Sequence, residues 1–289
     1  MKIKCYIRML RVKHYIKNFL LFLPIVFGGA LLDIEIMARG AIAFLVFSFM
    51  SSVVYIINDI KDLEKDKLHE KKKHRPIASG MINIKEAQIA ALMLFVLCVV
   101  INLLCFGRTI STWTVLIGYL LVNMAYSVWG CKKVPLLDVV LLVLGFVFRV
   151  YYGAIISGFE VSQWLYLVIV SGAFYMGFGK RRNELIKNND STREVLRYYN
   201  QAFLDKSMYS CMTLAIMFYS LWCLEQYRGE IKNYLITIPI LMIILFKYSL
   251  NVESQMKDGD PIEVILSDRI LILLVLFFCG MLGYFLYVG

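Results

Sequence analysis

Apolar residues run in long blocks along this chain, and polar residues collect between the blocks. Nine blocks are long enough for a membrane span of roughly 20 residues. They cover about 15–32, 40–58, 85–106, 112–129, 136–157, 161–179, 208–226, 233–250 and 268–287. Connections are short except for 59–84 and 180–207, and those two are polar. The pattern predicts an all-α membrane protein, a bundle of about nine transmembrane helices, built as one integral membrane domain over residues 1–289. No soluble domain, low-complexity linker or short repeat interrupts it.

Composition agrees. A chain that is 60% hydrophobic with a mean hydropathy of +0.69 is too apolar for a soluble domain with an ordinary polar surface. The net charge of +10 would suit nucleic acid, but the cations fall in loops between apolar blocks. They are read instead as orienting the chain in the membrane and handling phosphorylated substrates. The N-terminus and the loops after the second, fourth, sixth and eighth blocks hold nearly all of them. The other side holds Arg39, Arg108, Arg228 and Lys232. The N-terminus and both long loops are therefore predicted to be cytoplasmic and the C-terminus outside. The first block follows a basic segment, as in a signal peptide, but it contains Lys17 and leads straight into further spans. That predicts an uncleaved helix. The seven cysteines have no metal-ligand spacing and read as small buried hydrophobes.

One stretch breaks the apolar pattern most sharply. It reads Asn58-Asp59-Ile60-Lys61-Asp62-Leu63-Glu64-Lys65-Asp66, continues through a basic run, and ends Arg75-Pro76-Ile77-Ala78-Ser79-Gly80. Asp59, Asp62 and Asp66 stand at i, i+3 and i+7, one face of a helix. Three like charges there repel unless a cation sits among them, and hard oxygen ligands suit Mg²⁺ with substrate phosphates completing its shell. A solvated charge cluster at a helix end is the other reading. Lys71–Arg75 suits anionic lipid or a substrate phosphate, and Arg75 can grip phosphate with two parallel hydrogen bonds.

Other polar residues sit at block ends. Lys17 and Asn18 lie at the edge of the first block, where a cation either snorkels to headgroups or contacts phosphate or hydroxyl. Tyr126 closes the fourth block and Lys132-Lys133 follow. Asp138, Gly145 and Arg149 share a face of the fifth, and an arginine so far into a span is either functional or one half of a buried ion pair. Gly179-Lys180-Arg181 with Glu184 is either a cytoplasmic stop of positive charge or a second polar cluster for an anionic substrate. Gly28-Gly29 and Gly280 with Gly283 read as helix-packing positions. The chain has no His-Glu-x-x-His, Walker A loop or dinucleotide-binding glycine fingerprint.

Asn58-Asp59-x-x-Asp62-x-x-x-Asp66 at the end of the second span resembles the UbiA superfamily of intramembrane prenyltransferases. Arg11…Tyr15-Ile16-Lys17-Asn18-Phe19…Pro24, Arg75-Pro76…Gly80, Tyr126-Ser127…Lys132…Asp138, Gly145…Arg149 and Gly179-Lys180-Arg181…Glu184 are similar to one branch, the decaprenyl-phosphate phosphoribosyltransferases of the polyprenyl-linked arabinose pathway. The likeness covers most of residues 8–185. Many aromatic prenyltransferases of the superfamily carry a second Asp-x-x-x-Asp motif; none follows Asp66 here, and Asp138 stands near Lys132 instead.

The resemblance implies a multi-pass enzyme of the inner (plasma) membrane with its site on the cytoplasmic side. It would be a Mg²⁺-dependent pentosyltransferase that moves 5-phosphoribosyl from phosphoribosyl pyrophosphate to a polyprenyl phosphate lipid. Asp59, Asp62 and Asp66 would hold the metal, with Asp59, Asp62 and Asp138 as the catalytic carboxylates. Lys17, Asn18, Asn58, Arg75, Tyr126, Lys132, Arg149, Lys180, Arg181 and Glu184 would bind substrate. Transfer of an allylic prenyl diphosphate to an aromatic or other acceptor is the alternative chemistry. A transporter is a remote third, because ionisable residues do not thread the outer half of the bundle. Oligomeric state stays open, and no nucleic-acid partner is expected.

Overall fold

A computed structural model describes residues 2–70, 72–107, 110–186, 194–226, 234–254 and 261–288. Lys71, Arg108, Arg193, Arg228, Lys232 and residues 257–260 lie outside the described residues. Among the described residues there are helices and no strand. In chain order they are α1 Lys2–Leu10, a 3₁₀ segment Val12–Phe22, α2 Leu23–Phe27, α3 Ile34–Lys61, α4 Leu63–Leu68, α5 Ile84–Phe106, α6 Ile110–Ser127, α7 Leu137–Ser157, α8 Gln163–Ile186, α9 Gln201–Gln226, α10 Thr237–Glu253, α11 Pro261–Ser267 and α12 Arg269–Tyr287. Seven of these stretches are long and apolar enough to cross a membrane: α3, α5, α6, α7, α9, α12, and Tyr234–Glu253, which includes α10. The 3₁₀ segment with α2 and the polar-ended α8 fall on the remaining two predicted blocks.

Boundaries moved where polar residues found partners. α3 begins at Ile34 rather than near 40 because Asp33 caps it, accepting from the Glu35 and Ile36 amides at 2.9 and 3.1 Å. α5 begins where expected, fixed by an Asn83–Glu86 capping box. α8 runs on to Ile186, so Lys180–Glu184 lie on helix and not in the loop expected from 180 onward. Arg181 and Arg182 are buried there and ion-paired to Asp138 and Asp205, so their charge does not end the helix. α9 starts at Gln201 instead of near 208.

The chain divides into two compact units, Met1–Val134 with Leu144–Glu160, and Pro135–Val143 with Val161–Gly289. The first has a core of Leu21, Val46, Phe47, Met50, Leu116, Tyr119 and Tyr152 from the 3₁₀ segment, α3, α6 and α7. A second cluster, with Met9, Ile56, Ile77, Ile82 and Ala87, lies under the 75–84 turn. The second unit buries Tyr175, Phe178, Leu204, Met208, Tyr219 and Trp222 on α8 and α9.

The 3₁₀ segment is eleven residues long, although such runs rarely exceed three or four. Its contacts explain it. Arg11 reaches Asp59, His14 packs on Tyr55 with ring centroids 5.7 Å apart, Tyr15 bonds Ser52 at 2.7 Å and Asn18 donates to Ser48 at 2.9 Å. Residues 48, 52, 55 and 59 form one face of α3. They span about 16 Å of α-helix. Seven residues from Arg11 to Asn18 cover about 14 Å at the 3₁₀ rise, against about 10 Å as an α-helix. The segment is therefore a strap running antiparallel to α3, wound to match it. Gly28 packs under Phe159, where a β-carbon would lie 2.5 Å from the ring. Gly29 is left-handed at φ 77 and ends the helix. Gly280 and Gly283 correct the packing expectation, because nothing lies within 4 Å of a β-carbon built on either.

Candidate active site

The carboxylates at the end of α3 and in α4 are drawn into separate pairings. Asp59 and Asp66 are both buried, at 3% exposure each. They meet on one atom: Arg75 Nη1 donates to Asp59 Oδ1 at 3.0 Å and to Asp66 Oδ2 at 2.6 Å. Arg11 Nη2 donates to the same Asp59 oxygen at 2.5 Å, and its guanidinium lies 4.8 Å from the Tyr55 ring centre. Arg11 does this from a left-handed backbone, φ 54 and ψ 44, which is strained for any residue but glycine. Two carboxylates and two guanidinium groups thus balance in charge. Asp62, where α3 gives way to α4, is turned to Lys132, whose Nζ donates to both its oxygens at 2.9 and 2.8 Å.

Divalent-cation chemistry fits part of this set. Asp59 and Asp66 converge on one point, and Asn58, next to Asp59 in sequence, has a buried Oδ1 with no hydrogen-bond partner among the described residues. Those are hard oxygen donors of the kind Mg²⁺ takes, usually one or two carboxylates with water and phosphate oxygens completing the octahedron. Among the described residues no three His, Cys, Asp or Glu side chains are gathered closely enough to hold an ion by themselves. The expected trio is therefore parted, Asp59 with Asp66 on Arg75 and Asp62 on Lys132.

Asn18 and Arg149 stand elsewhere. Asn18 lies not at the edge of an apolar block but in the unit interior, 1% exposed. Arg149 Nε donates to Asn18 Oδ1 at 2.7 Å, Nη2 reaches Tyr119 Oη at 3.3 Å and Nη1 donates to the Gly145 carbonyl. The rings of Phe47, Tyr119 and Phe146 lie 5.2, 5.2 and 5.9 Å from the guanidinium carbon. Arg149 is 5% exposed, and among the described residues its hydrogen-bond acceptors are all neutral. Ser48, which Asn18 contacts, is eleven residues from Asp59, about 16 Å along α3.

In the second unit Asp138 and Arg181 are ion-paired with no exposure at all. Arg181 Nη1 also donates to Glu184 at 2.8 Å. Tyr199 donates to Asp138 Oδ1 at 2.7 Å while accepting from the Leu136 amide at 2.6 Å. Burial first, and then the neighbouring Asp138, push the Tyr199 phenol up to about 12, so it stays a donor at neutral pH.

Lys17, Tyr126 and Lys180 make polar or ring contacts of their own. Sequence reasoning missed Arg11 as a site residue, although it heads the segment that carries the branch likeness. It missed Tyr119, which no local pattern marks, and nothing in the sequence separates Tyr199 from the other polar residues of its loop.

A bundle of apolar helices with balanced carboxylates and cations at the end of one span defines a polytopic membrane protein with a buried polar site. The chain belongs to the UbiA prenyltransferase family, whose profile matches residues 21–261. Among its relatives is the decaprenyl-phosphate phosphoribosyltransferase of Corynebacterium glutamicum, 32% identical over 93% of this chain and 83% of that protein. The Mycolicibacterium smegmatis protein of the same name is 29% identical over 97% of this chain and 92% of its own. A solved UbiA homolog from Archaeoglobus fulgidus, bound to GPP and Mg²⁺, shares the fold with a TM-score of 0.71 at 19% identity, covering 97% of this chain and 98% of that one.

Proposed function

We propose that the chain transfers 5-phosphoribosyl from phosphoribosyl pyrophosphate to a polyprenyl phosphate, at the cytoplasmic face of the inner membrane, working as one transferase domain. The observation that carries the reading is the meeting of Asp59 and Asp66 on Arg75, in a chain 32% identical to a protein named for this transfer. A phosphate oxygen of the lipid attacks C1 of the ribose. The bond from C1 to the pyrophosphate oxygen breaks, and both of its electrons leave with pyrophosphate.

Negative charge grows on the leaving group as the sugar becomes oxocarbenium-like, so the site must supply cations there. Asp59 and Asp66 would hold Mg²⁺, which when bound neutralises that charge. Arg75 has the planar fork that grips phosphate with two hydrogen bonds. Lys132 brings an ammonium next to Asp62. A phosphate nucleophile is already ionised at neutral pH, so no strong general base is required. In the second unit Asp138 would serve as a reaction carboxylate, and Lys180, Arg181 and Glu184 as substrate-binding groups, on their chemistry alone.

The test is transfer of radiolabel from phosphoribosyl pyrophosphate into an organic-extractable lipid, by purified protein with polyprenyl phosphate and Mg²⁺. Label that disappears with EDTA supports both the reaction and the metal. Folded protein that labels no lipid, yet transfers a prenyl group from an allylic diphosphate, would replace this reading with prenyl transfer.

A further inference from the structure

Three observations in the first unit join two polar clusters that lie about 16 Å apart along α3. The 3₁₀ strap touches α3 at both ends, through Asn18 on Ser48 and Arg11 on Asp59. Asn18 is held from a second side by Arg149, using both ends of one amide, Nδ2 donating to Ser48 and Oδ1 accepting from Arg149. Next along α7, Gly153 lies directly against Leu21 of the strap, where a β-carbon would fall 1.9 Å from the Leu21 carbonyl oxygen. Arg149 and Gly153 are four apart on α7, and Asn18 and Leu21 are three apart on the strap, a rise of about 6 Å in each. The strap is thus clamped by α7 in one register.

From these we infer that Arg149 is a positioning residue for the reaction, acting through Asn18 and the strap to place Arg11 on Asp59. The chemistry explains why an arginine serves. A guanidinium in a bundle interior is costly, and functional roles are the default for such groups. Here the charge is compensated by three ring faces and three neutral oxygens, and the rigid planar fork fixes Asn18 in direction as well as distance. Lysine offers one rotatable ammonium and cannot hold that geometry. At the other end Arg11 sits in a left-handed backbone, a conformation the rest of the strap must enforce. If the strap slides, Arg11 leaves Asp59 first.

The inference rests on Asp59 being a residue of the site. The test is a double-mutant cycle between Arg149 and Arg11, read as kcat and KM for phosphoribosyl pyrophosphate, with size-exclusion profile and Tm as folding controls. Arg11→Gly is the clean deletion, because glycine keeps the left-handed backbone without strain. Arg149→Gln alone should lower kcat/KM tenfold or more. In the Arg11→Gly background it should cost less than about twofold further. Losses that multiply independently would overturn the inference, since Arg149 would then act other than through Arg11. So would an Arg149→Gln enzyme with ordinary kinetics. If Arg149→Gln does not fold, Ser48→Ala loosens the same end of the strap and is carried through the same cycle. Asp59→Asn is measured alongside: an active Asp59→Asn enzyme would sink the site reading itself, whereas independent losses with Asp59→Asn inactive sink only the strap.

Discussion

Gly153 lies against Leu21 so closely that a β-carbon on it would stand 1.9 Å from the Leu21 carbonyl oxygen. The obstacle is backbone, which cannot swing away like the end of a side chain. Gly153→Ala should therefore destabilise the protein by about 3 kcal/mol or more, at the upper end of overpacking costs. Gly172 on α8 is the control, since nothing lies within 4 Å of a β-carbon built there. Gly172→Ala should be neutral or up to about 1 kcal/mol stabilising, as expected inside a helix. Thermal unfolding of the two variants in one detergent compares them, and equal Tm values would show that the strap shifts freely.

Lys132 holds both oxygens of Asp62, and the pair is partly open to solvent, with side-chain exposures of 18% and 23%. Such pairs contribute roughly 0–1 kcal/mol to stability. Lys132→Ala should leave Tm nearly unchanged while lowering kcat/KM for phosphoribosyl pyrophosphate at least tenfold. A large drop in Tm with intact activity would make the pair a structural tie instead. Radiolabel transfer and a thermal melt on the same preparation separate the outcomes.

Tyr199 both donates to Asp138 and accepts from a backbone amide. Tyr199→Phe strips Asp138 of a partner inside the second unit and leaves the Leu136 amide unpaired, a cost of about 1–3 kcal/mol. The phenol also has a pH signature. Its folded value lies near 12 and its ordinary value near 10, so the folded state holds the proton more tightly. Its contribution is complete below pH 10 and is lost as pH rises from 10 toward 12. Wild-type stability should fall more steeply than that of Tyr199→Phe across that window. Parallel curves would show that Tyr199 ionises as freely in the folded protein as in the unfolded chain.

Much of this architecture was legible because apolar length is local. The start of α5 is legible within a residue from apolar length alone, without the Asn83–Glu86 capping box that fixes it. Asp59, Asp66 and Arg75 were legible as a group because all three fall within one polar stretch. The strap was not. Residues 15–32 have the composition of an α-helix, and only the face of α3 beneath them dictates the longer 3₁₀ rise. Nor was the Asn18–Arg149 bond, which joins residues 131 apart in sequence. The extension of α8 was hidden because Arg181 and Arg182 look like a stop until Asp138 and Asp205 are known to meet them. Asp62 was grouped with the other carboxylates on spacing alone, and its turn toward Lys132 depends on a loop seventy residues away.

Arg75 presents a single nitrogen to two buried carboxylates, and the two consequences of removing it can be measured apart. Asp59 keeps Arg11 if Arg75 is lost, but the only ion pair that Asp66 makes among the described residues is with Arg75. Arg75→Ala should therefore strand a buried charge on Asp66 and cost about 3 kcal/mol or more. Adding Asp66→Asn removes that charge, so the double variant should be more stable than Arg75→Ala alone. Arg75→Lys keeps a cation for both carboxylates and should fold with a Tm close to wild type. It lacks the planar fork, however, and should raise KM for the diphosphate substrate about tenfold, leaving kcat less affected. A double variant no more stable than Arg75→Ala would mean that Asp66 finds another partner. An Arg75→Lys enzyme with wild-type KM would mean that the Arg75 guanidinium serves the protein's own carboxylates and does not grip the substrate with two parallel hydrogen bonds.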